Sequence, residues 1–280
     1  EGGHFLFAKL TGVHVYEFSI GMGPLIWKKI AKDKTQYSIR AIPIGGFVSL
    51  AGGEVDEEQR KKTKGKNLQD KTVFQRFLVM FAGVFFNFIS AFIILFLSAI
   101  IAGAPSTEPV LYDITEGSPA EIAGLEKGDR VLEINGHKVS YLEDISLYLT
   151  IEDLSKPINI KVEKSNSSVS EYTINPIKTQ DDEGNDKYII GVVLQAEVTK
   201  GFIPSISYAF NEGCAILKQM GVVLANLFTG GVELNQLSGP VGIFSIVDQM
   251  SSEGIAALLY LTALLSINVG VINLLPLPAF

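Results

Sequence analysis

The sequence predicts a multi-pass α-helical membrane protein with a membrane-associated β-hairpin and an inserted α+β domain. Two runs without any Asp, Glu, Lys or Arg predict membrane helices: 31 residues from Phe77 to Thr107 and 27 residues from Gly254 to Phe280. Each run exceeds the roughly 20 residues that a helix needs to cross a bilayer. Between them, short β-rich runs alternate with turns across residues 106–198, which indicates a small independent domain.

The composition excludes several classes of protein. Hydrophobic residues make up 47% of the 280 residues and charged residues only 19%, whereas soluble domains have about 25% charged residues. A simple soluble enzyme, a disordered chain and a coiled coil are therefore excluded. The single cysteine, Cys214, excludes a disulfide framework. The net charge of -7 argues against nucleic acid as a partner.

The charge is distributed asymmetrically along the chain. Residues 28–76 carry 12 Lys and Arg against 6 Asp and Glu, a net charge of +6, whereas residues 77–280 carry 10 against 22, a net charge of -12. Basic loops stay on the cytoplasmic side of a membrane span. We therefore predict a cytoplasmic loop at 28–76 and an extracytoplasmic α+β domain. The cations from Arg60 to Arg76 form either a solvated loop or a contact with anionic lipid.

The other membrane segments follow from local signals. Residues 1–27 are predicted to hold the end of a first membrane helix and a following strand, because the chain opens in an apolar run without an initiator Met. Both ends of the chain look cut, since residues 274–280 are apolar and lack a polar cap. Paired glycines among alternating apolar residues predict a β-hairpin at 37–53. The second membrane helix is predicted at 77–105 and a third, truncated, at 254–280.

Two helices are predicted inside the α+β domain. Ser118, followed by Pro, suits the start of a short helix, and Gly124 suits its end. A second helix is predicted from Leu142, where apolar residues recur at helical spacing. Residues 199–253 are predicted to form an amphipathic helical region at the membrane surface, with a Ser-Gly-Pro-Val-Gly loop. A further full span at 202–232 is the alternative.

Glu1 and His4 are the first candidates for chemistry. They are three residues apart, so both side chains lie on one face of a helix. The pair alone is a weak signal, but ionisable side chains are costly within a membrane and mark functional sites there. The zinc-protease signature is His-Glu-x-x-His, in which two imidazoles bind zinc and the carboxylate activates water. Glu1-Gly-Gly-His4 is this signature without its first His, whereas His14 and His137 are poor ligand candidates.

Six sequence blocks carry a resemblance to a known family. They are Glu1–Pro24, Pro43-Ile-Gly-Gly-Phe-Val48, Ala82-Gly-Val-Phe-Phe-Asn-Phe88, Gly117–Val131, Leu237-Ser-Gly-Pro-Val-Gly242 and Asn273-Leu-Leu-Pro-Leu-Pro278. In this order they resemble the bacterial site-2 protease family, intramembrane zinc metalloproteases of the regulator-of-sigma-E protease type. The blocks cover nearly the whole chain, and together they are highly specific.

The resemblance implies a Zn2+ cofactor, with His4 as a zinc ligand and Glu1 as the catalytic base. It also implies that this chain lacks the other two ligands, a His before Glu1 and an Asp after Phe280. Asn87 and Asn273 lie in otherwise apolar spans. They either contact the substrate or the developing oxyanion, or they form interhelical hydrogen bonds.

Two segments are predicted to bind peptide. The edge of the predicted hairpin can accept an added strand, so Gly45, Gly46 and Phe47 are predicted to bind the unwound substrate. The Gly117–Val139 block looks like a PDZ domain, which in this family is expected to exclude folded, bulky substrates. Three residues of its turn pattern are expected to bind peptide: Gly124, Leu125 and Gly128.

The function that these expectations favour is a zinc-dependent endopeptidase of the bacterial cell membrane, active in regulated intramembrane proteolysis. Its partners would be the lipid bilayer and single-span membrane substrates, of the anti-sigma-factor or remnant-signal-peptide type. A catalytically inactive PDZ-bearing scaffold is one alternative, and replacement of the flanking ligands would favour it. A transporter also has broken helices at mid-membrane, but the sequence shows no inverted repeat.

Overall fold

A computed structural model describes residues 1–52, 66–180, 186–195, 197–229 and 240–274. The chain divides into two compact units. The first unit comprises Glu1–Ser90 and Asn268–Phe280, and the second comprises Ala91–Ile267. The division falls within two long helices, so each unit contains a part of both.

The first unit begins with helix α1, Gly2–Leu10, followed by two long antiparallel strands, β1 (Val15–Ile30) and β2 (Gln36–Leu50). The strand predicted after the first helix is therefore present. A small apolar cluster joins the end of α1, the start of β1 and the next helix. Its fully buried members are Ala8, Val13, Val15 and Val79.

The prediction of a β-hairpin at 37–53 is wrong about which strand segments pair with each other. Residues 36–42 and 46–50 do not pair with each other, because both belong to β2 and both pair with β1. Residues 46–50 lie opposite residues 15–20, and residues 36–42 lie opposite residues 22–30. Residues 36–39 also pair with residues 17–20. The strands shift register where glycines adopt positive φ angles, which other residues rarely do. These glycines are Gly21, Gly23 and Gly45.

Two helices are long and apolar enough to cross a membrane: α2, Val73–Ala102, and α7, Ile255–Leu274. They correspond to the spans predicted at 77–105 and 254–280. Helix α2 begins four residues earlier than predicted because Thr72 and Gln75 form a reciprocal capping box. The Thr72 hydroxyl accepts from the Gln75 backbone N–H at 3.3 Å, and the Gln75 side chain accepts from the Thr72 N–H at 3.2 Å.

The second unit contains a four-stranded antiparallel sheet in the order β6-β5-β7-β8. Three two-stranded pairs accompany it: β3 with β12, β4 with β11, and β9 with β10. Its apolar core includes fully buried Ile134, Ile158 and Ile174. The strands are β3 Ala104–Pro105, β4 Asp113–Ile114, β5 Arg130–Ile134, β6 His137–Lys138, β7 Ile158–Glu163, β8 Val169–Ile174, β9 Ile177–Gln180, β10 Asp186–Ile189, β11 Val192–Val193 and β12 Val198–Thr199.

The two helices predicted in this unit are confirmed. Helix α3, Pro119–Ala123, begins after Ser118, whose side chain accepts a hydrogen bond from the Glu121 N–H. It ends at Gly124, which has a left-handed φ of 97°. Helix α4, Leu142–Ile151, follows as expected.

Two more helices follow this unit's strands, α5 (Phe202–Thr229) and α6 (Pro240–Glu253). Among the helices that the structure describes, only α2 and α7 pass the length and hydropathy criteria for a span, so the further span considered at 202–232 is not supported. Helix α5 buries Ala209 and Ala215 and exposes Phe202, Ile203 and Phe210. The amphipathic helix at the membrane surface stays a prediction. Of the predicted Ser-Gly-Pro-Val-Gly loop, residues 238–239 lie outside the described residues and 240–242 begin α6.

Candidate functional site

Helix α1 carries both candidates for chemistry in its first turn. Glu1 is the N-cap residue, and its backbone carbonyl accepts from the Phe5 N–H at 3.0 Å. The Glu1 side chain is exposed and makes no capping hydrogen bond, so its carboxylate is not committed to the helix end. His4, one turn later, is half-buried.

The His4 imidazole is fixed by a backbone carbonyl of α2. Its Nδ1 lies 2.8 Å from the Val79 carbonyl oxygen. A carbonyl can only accept, so Nδ1 is the donor, and in the neutral imidazole this leaves the lone pair on Nε2. Metal-binding histidines are held in this way, with the second ring nitrogen bonded to a carbonyl or carboxylate.

Two glycines bring α1 and α2 close together at this point. A Cβ on Gly3 would overlap the Ala82 carbonyl and lie 2.9 Å from the Phe86 ring. A Cβ on Gly83 would overlap His4 itself, closest to Nε2. Small residues allow this approach between apolar helices, and here Gly83 lets the His4 imidazole lie against the backbone of α2.

His4 faces a cavity of about 350 Å³ within the first unit. Its polar lining residues are His4, at the start of α1, and Asn273, near the end of α7. The remaining walls are apolar, namely Leu50, Leu68, Val79, Met80 and Val84. A few convergent polar groups in an apolar cavity are typical of a ligand or active site.

Strand β2 reaches this cavity through Leu50, the last residue of its 46–50 segment. Among the described residues, that segment pairs only with β1. Its other edge therefore carries backbone groups that an added strand could use.

The comparisons with known proteins decide the family. The model of peptidase family M50 matches residues 1–280. This chain belongs to peptidase family M50. A Fusobacterium nucleatum protein assigned by name to the zinc metalloproteases is 38% identical over the whole chain, which covers 80% of that relative. The regulator of sigma-W protease RasP of Bacillus subtilis is 30% identical, with 83% of its length covered.

The M50 peptidase is accordingly a metalloprotease whose cofactor is Zn2+, and the described residues can be tested for their fit to that metal. His4 fits, because its Nδ1 is tied to the Val79 carbonyl and Nε2 is left as the ring nitrogen that can bind a metal. No group of three or more His, Cys, Asp or Glu side chains that could hold a metal occurs among the described residues. Within that part of the M50 peptidase, His4 is the candidate ligand.

The two predicted asparagines of the M50 peptidase differ in their placement. Asn273 lines the His4 cavity. Asn87 lies two helical turns beyond Val79 in α2. Its backbone carbonyl accepts a hydrogen bond from the Ser90 hydroxyl at 3.0 Å. It is not among the residues that line the cavity. Asn273 thus lines the same cavity as His4, and the role of Asn87 stays a prediction.

The three predicted substrate residues of β2 have different surroundings. Gly46 lies against β1, where a Cβ would overlap the Ser19 carbonyl. Gly45 has a φ of 68°. Phe47 stacks under the Arg40 guanidinium, 5.0 Å from the ring centre. Gly46 therefore permits close strand pairing within the sheet.

The three predicted peptide-binding residues of the second unit have different surroundings. Gly124 caps α3, and Leu125 is 2% exposed within the core. Gly128, with a φ of 88°, lines a separate cavity of about 280 Å³ beside Leu111 and Tyr112. The binding of a peptide by these residues stays a prediction.

Sequence reasoning missed a buried acidic pair in the second unit. Glu212 of α5 is 2% exposed, and the Tyr260 hydroxyl donates to its Oε1 at 3.0 Å. The Glu143 carboxyl of α4 lies within hydrogen-bonding reach. Burial, and then the charge of Glu143, raise the pKa of Glu212 to about 7. The only signal in the sequence was one Glu in an apolar segment, which is costly unless partnered.

A neighbouring ion pair joins α4 and α5. Asp144 is fully buried, and its Oδ2 accepts from the Lys218 ammonium at 2.6 Å. The same oxygen accepts from the backbone N–H groups of Ser140 and Tyr141 at the start of α4. Lys218 also donates to the Lys138 carbonyl at 3.0 Å. The second unit thus holds α4 and α5 together through paired charges.

Proposed function

We propose that this M50 peptidase cleaves transmembrane segments of single-span membrane proteins, in regulated intramembrane proteolysis. The observation that carries the proposal is the position of His4, half-buried in an apolar cavity with Nδ1 held by α2. The same unit contributes the first part of α2, a candidate membrane span, to that cavity. A site walled by such a helix suits an apolar substrate.

Glu1 and His4 would divide the chemistry between them. His4 would be one zinc ligand. When bound, zinc supplies a Lewis acid that polarises the scissile carbonyl and acidifies water. Glu1 would take a proton from the attacking water and return it to the leaving amine, as a general base and then a general acid. Its carboxylate makes no capping hydrogen bond to α1 and is available for both transfers.

Asn273 would orient the substrate in this scheme. An amide side chain can donate to a carbonyl oxygen and accept from an N–H group. Asn273 lines the cavity opposite apolar walls, where such bonds compete little with water. Asn87 would contribute from α2 only if the substrate extends beyond the cavity.

The 46–50 segment of β2 would hold the unwound substrate. A membrane helix satisfies its backbone groups internally, so cleavage requires an extended strand with new hydrogen-bonding partners. The edge of 46–50 that is unpaired within the described residues offers such partners and ends at the cavity. Gly45 and Phe47 would lie along this edge. Strand addition of this kind is a general mode of peptide recognition.

Residues 106–198 would act as an extracytoplasmic PDZ domain that admits trimmed substrates, such as anti-sigma factors or remnant signal peptides. Support comes from the resemblance of the Gly117–Val131 block and from the strands and two helices of this segment. Gly128 would contact the peptide at the cavity beside Tyr112. The basic residues 28–76 would lie on the cytoplasmic side.

The proposal is tested by Glu1→Gln in the full-length protein. Glutamine cannot take up the water proton, so cleavage of a model single-span substrate in proteoliposomes should fall by about 100-fold or more, the scale of general acid–base catalysis. Zinc content and expression should match the wild type, because the ligands remain. Cleavage at near the wild-type rate would contradict the assignment of Glu1.

A further inference from the structure

We infer that Gly83 of α2 is a positioning residue for His4, because its missing side chain lets the imidazole pack against α2 in the orientation that the Val79 carbonyl fixes. The inference rests on the proposed role of His4 as a zinc ligand. Gly83 lies one helical turn after Val79, so both residues are on the same face of α2. That face therefore offers His4 a hydrogen-bond acceptor at Val79 and, at Gly83, a backbone without a side chain that the ring can approach closely.

The contact at Gly83 is specific to the imidazole. The three atoms nearest to a Cβ built at Gly83 are Nε2, Cε1 and Cδ2, and all three belong to His4. The nearest distance is to Nε2, the nitrogen that keeps its lone pair. A methyl group at this position would occupy the space next to the metal-binding atom.

Two other helix glycines of the first unit have a different role. A Cβ on Gly3 would meet the backbone of Ala82, which makes Gly3 a helix-packing residue. A Cβ on Gly270 of α7 would lie 2.8 Å from the Phe88 ring and contact nothing of His4. Gly270 is therefore a matched control, since alanine there also crowds an aromatic ring between helices.

Alanine at Gly83 cannot be accommodated while His4 keeps its present position. The ring would have to turn or shift, and the 2.8 Å bond from Nδ1 to the Val79 carbonyl would lengthen or break. Loss of such a fixing bond typically lowers metal affinity by about 10- to 100-fold. Gly83→Ala should therefore weaken zinc binding even where the helices still pack.

The first measurement is the zinc affinity of purified full-length protein in detergent, by competition with a chelator of known affinity. Gly83→Ala should weaken zinc binding by about 10-fold or more, and Gly270→Ala should leave it at the wild-type level. Cobalt-loaded Gly83→Ala should also show altered d–d absorption, since the ligand geometry has changed. Equal zinc affinity in the two variants would overturn the inference.

The second measurement separates the inference from the proposed function. Gly83→Ala should lower the apparent melting temperature of the metal-free protein, but it should do so much less in a His4→Ala background, where the overlapping ring is gone. Full additivity of the two substitutions would overturn the steric contact between Gly83 and His4. Non-additivity with unchanged zinc affinity would instead uphold the contact and refute His4 as a zinc ligand.

Discussion

The buried pair of Glu212 and Glu143 predicts that the second unit loses stability as the pH rises. The ionisable groups around Glu212 are Glu143 and Asp144 on α4, Tyr208 on its own helix and Tyr260 on α7. Lys218, on the same helix as Glu212, is bound to Asp144. Because no cation is assigned to the pair within the described residues, full ionisation would bury two adjacent negative charges.

The size of this loss of stability follows from the pKa of Glu212. Burial and the Glu143 charge raise that pKa from 4.5 to about 7, and each unit corresponds to about 1.4 kcal/mol. The folded state thus binds a proton more tightly than the unfolded state does. The contribution of protonated Glu212 to the free energy of unfolding is fully present below the ordinary glutamate pKa. It falls by roughly 3 kcal/mol as the pH rises through about 7.

The assay is thermal unfolding of the full-length protein in mild detergent between pH 5 and pH 8, for wild type and Glu212→Gln. Glutamine can still accept from the Tyr260 hydroxyl and can donate to Glu143, but it cannot ionise. The apparent melting temperature of the wild type should fall with rising pH, and that of Glu212→Gln should fall much less. The exposed Glu116→Gln serves as the control and should behave like the wild type. Identical pH slopes for wild type and Glu212→Gln would refute the reasoning.

Two further predictions concern substrate binding and topology. Proline at Ile44 or at Val48, tested singly, removes a backbone N–H donor from the 46–50 edge or from the residues just before it. Substrate cleavage should therefore fall steeply, while zinc content and expression stay unchanged. Unchanged cleavage in both variants would mean that the substrate binds elsewhere. In a cysteine-free background, Ser168→Cys should react with an impermeant thiol reagent from outside the cell and Lys64→Cys only from inside, as the charge asymmetry requires; labelling from the same side would contradict the predicted topology.

The features that sequence reasoning found are those set by local chemistry. A charge-free run must satisfy its own backbone in lipid, so the helices Val73–Ala102 and Ile255–Leu274 follow from composition alone. Ser118 and Gly124 define a short helix through caps that involve only neighbouring residues. The same is true of Glu1 and His4, whose spacing places both at the start of α1.

The features that sequence reasoning missed depend on partners that are distant in the sequence. The paired glycines at Gly45 and Gly46 suggested a turn, but β2 continues because β1 supplies a partner on each side of them. Nothing local to Glu212 indicates that Glu143 and Tyr260 will enclose it. Such pairings are fixed by tertiary packing, which a single sequence does not display.

The most direct test of the account is the zinc content of purified full-length protein with His4→Ala, measured by elemental analysis. His14→Ala is the matched control, because His14 is also half-buried in the first unit but contacts the Tyr16 ring. The account predicts that His4→Ala loses most of its zinc while His14→Ala keeps the wild-type amount. Wild-type zinc in His4→Ala would contradict the placement of the metal site at the start of α1.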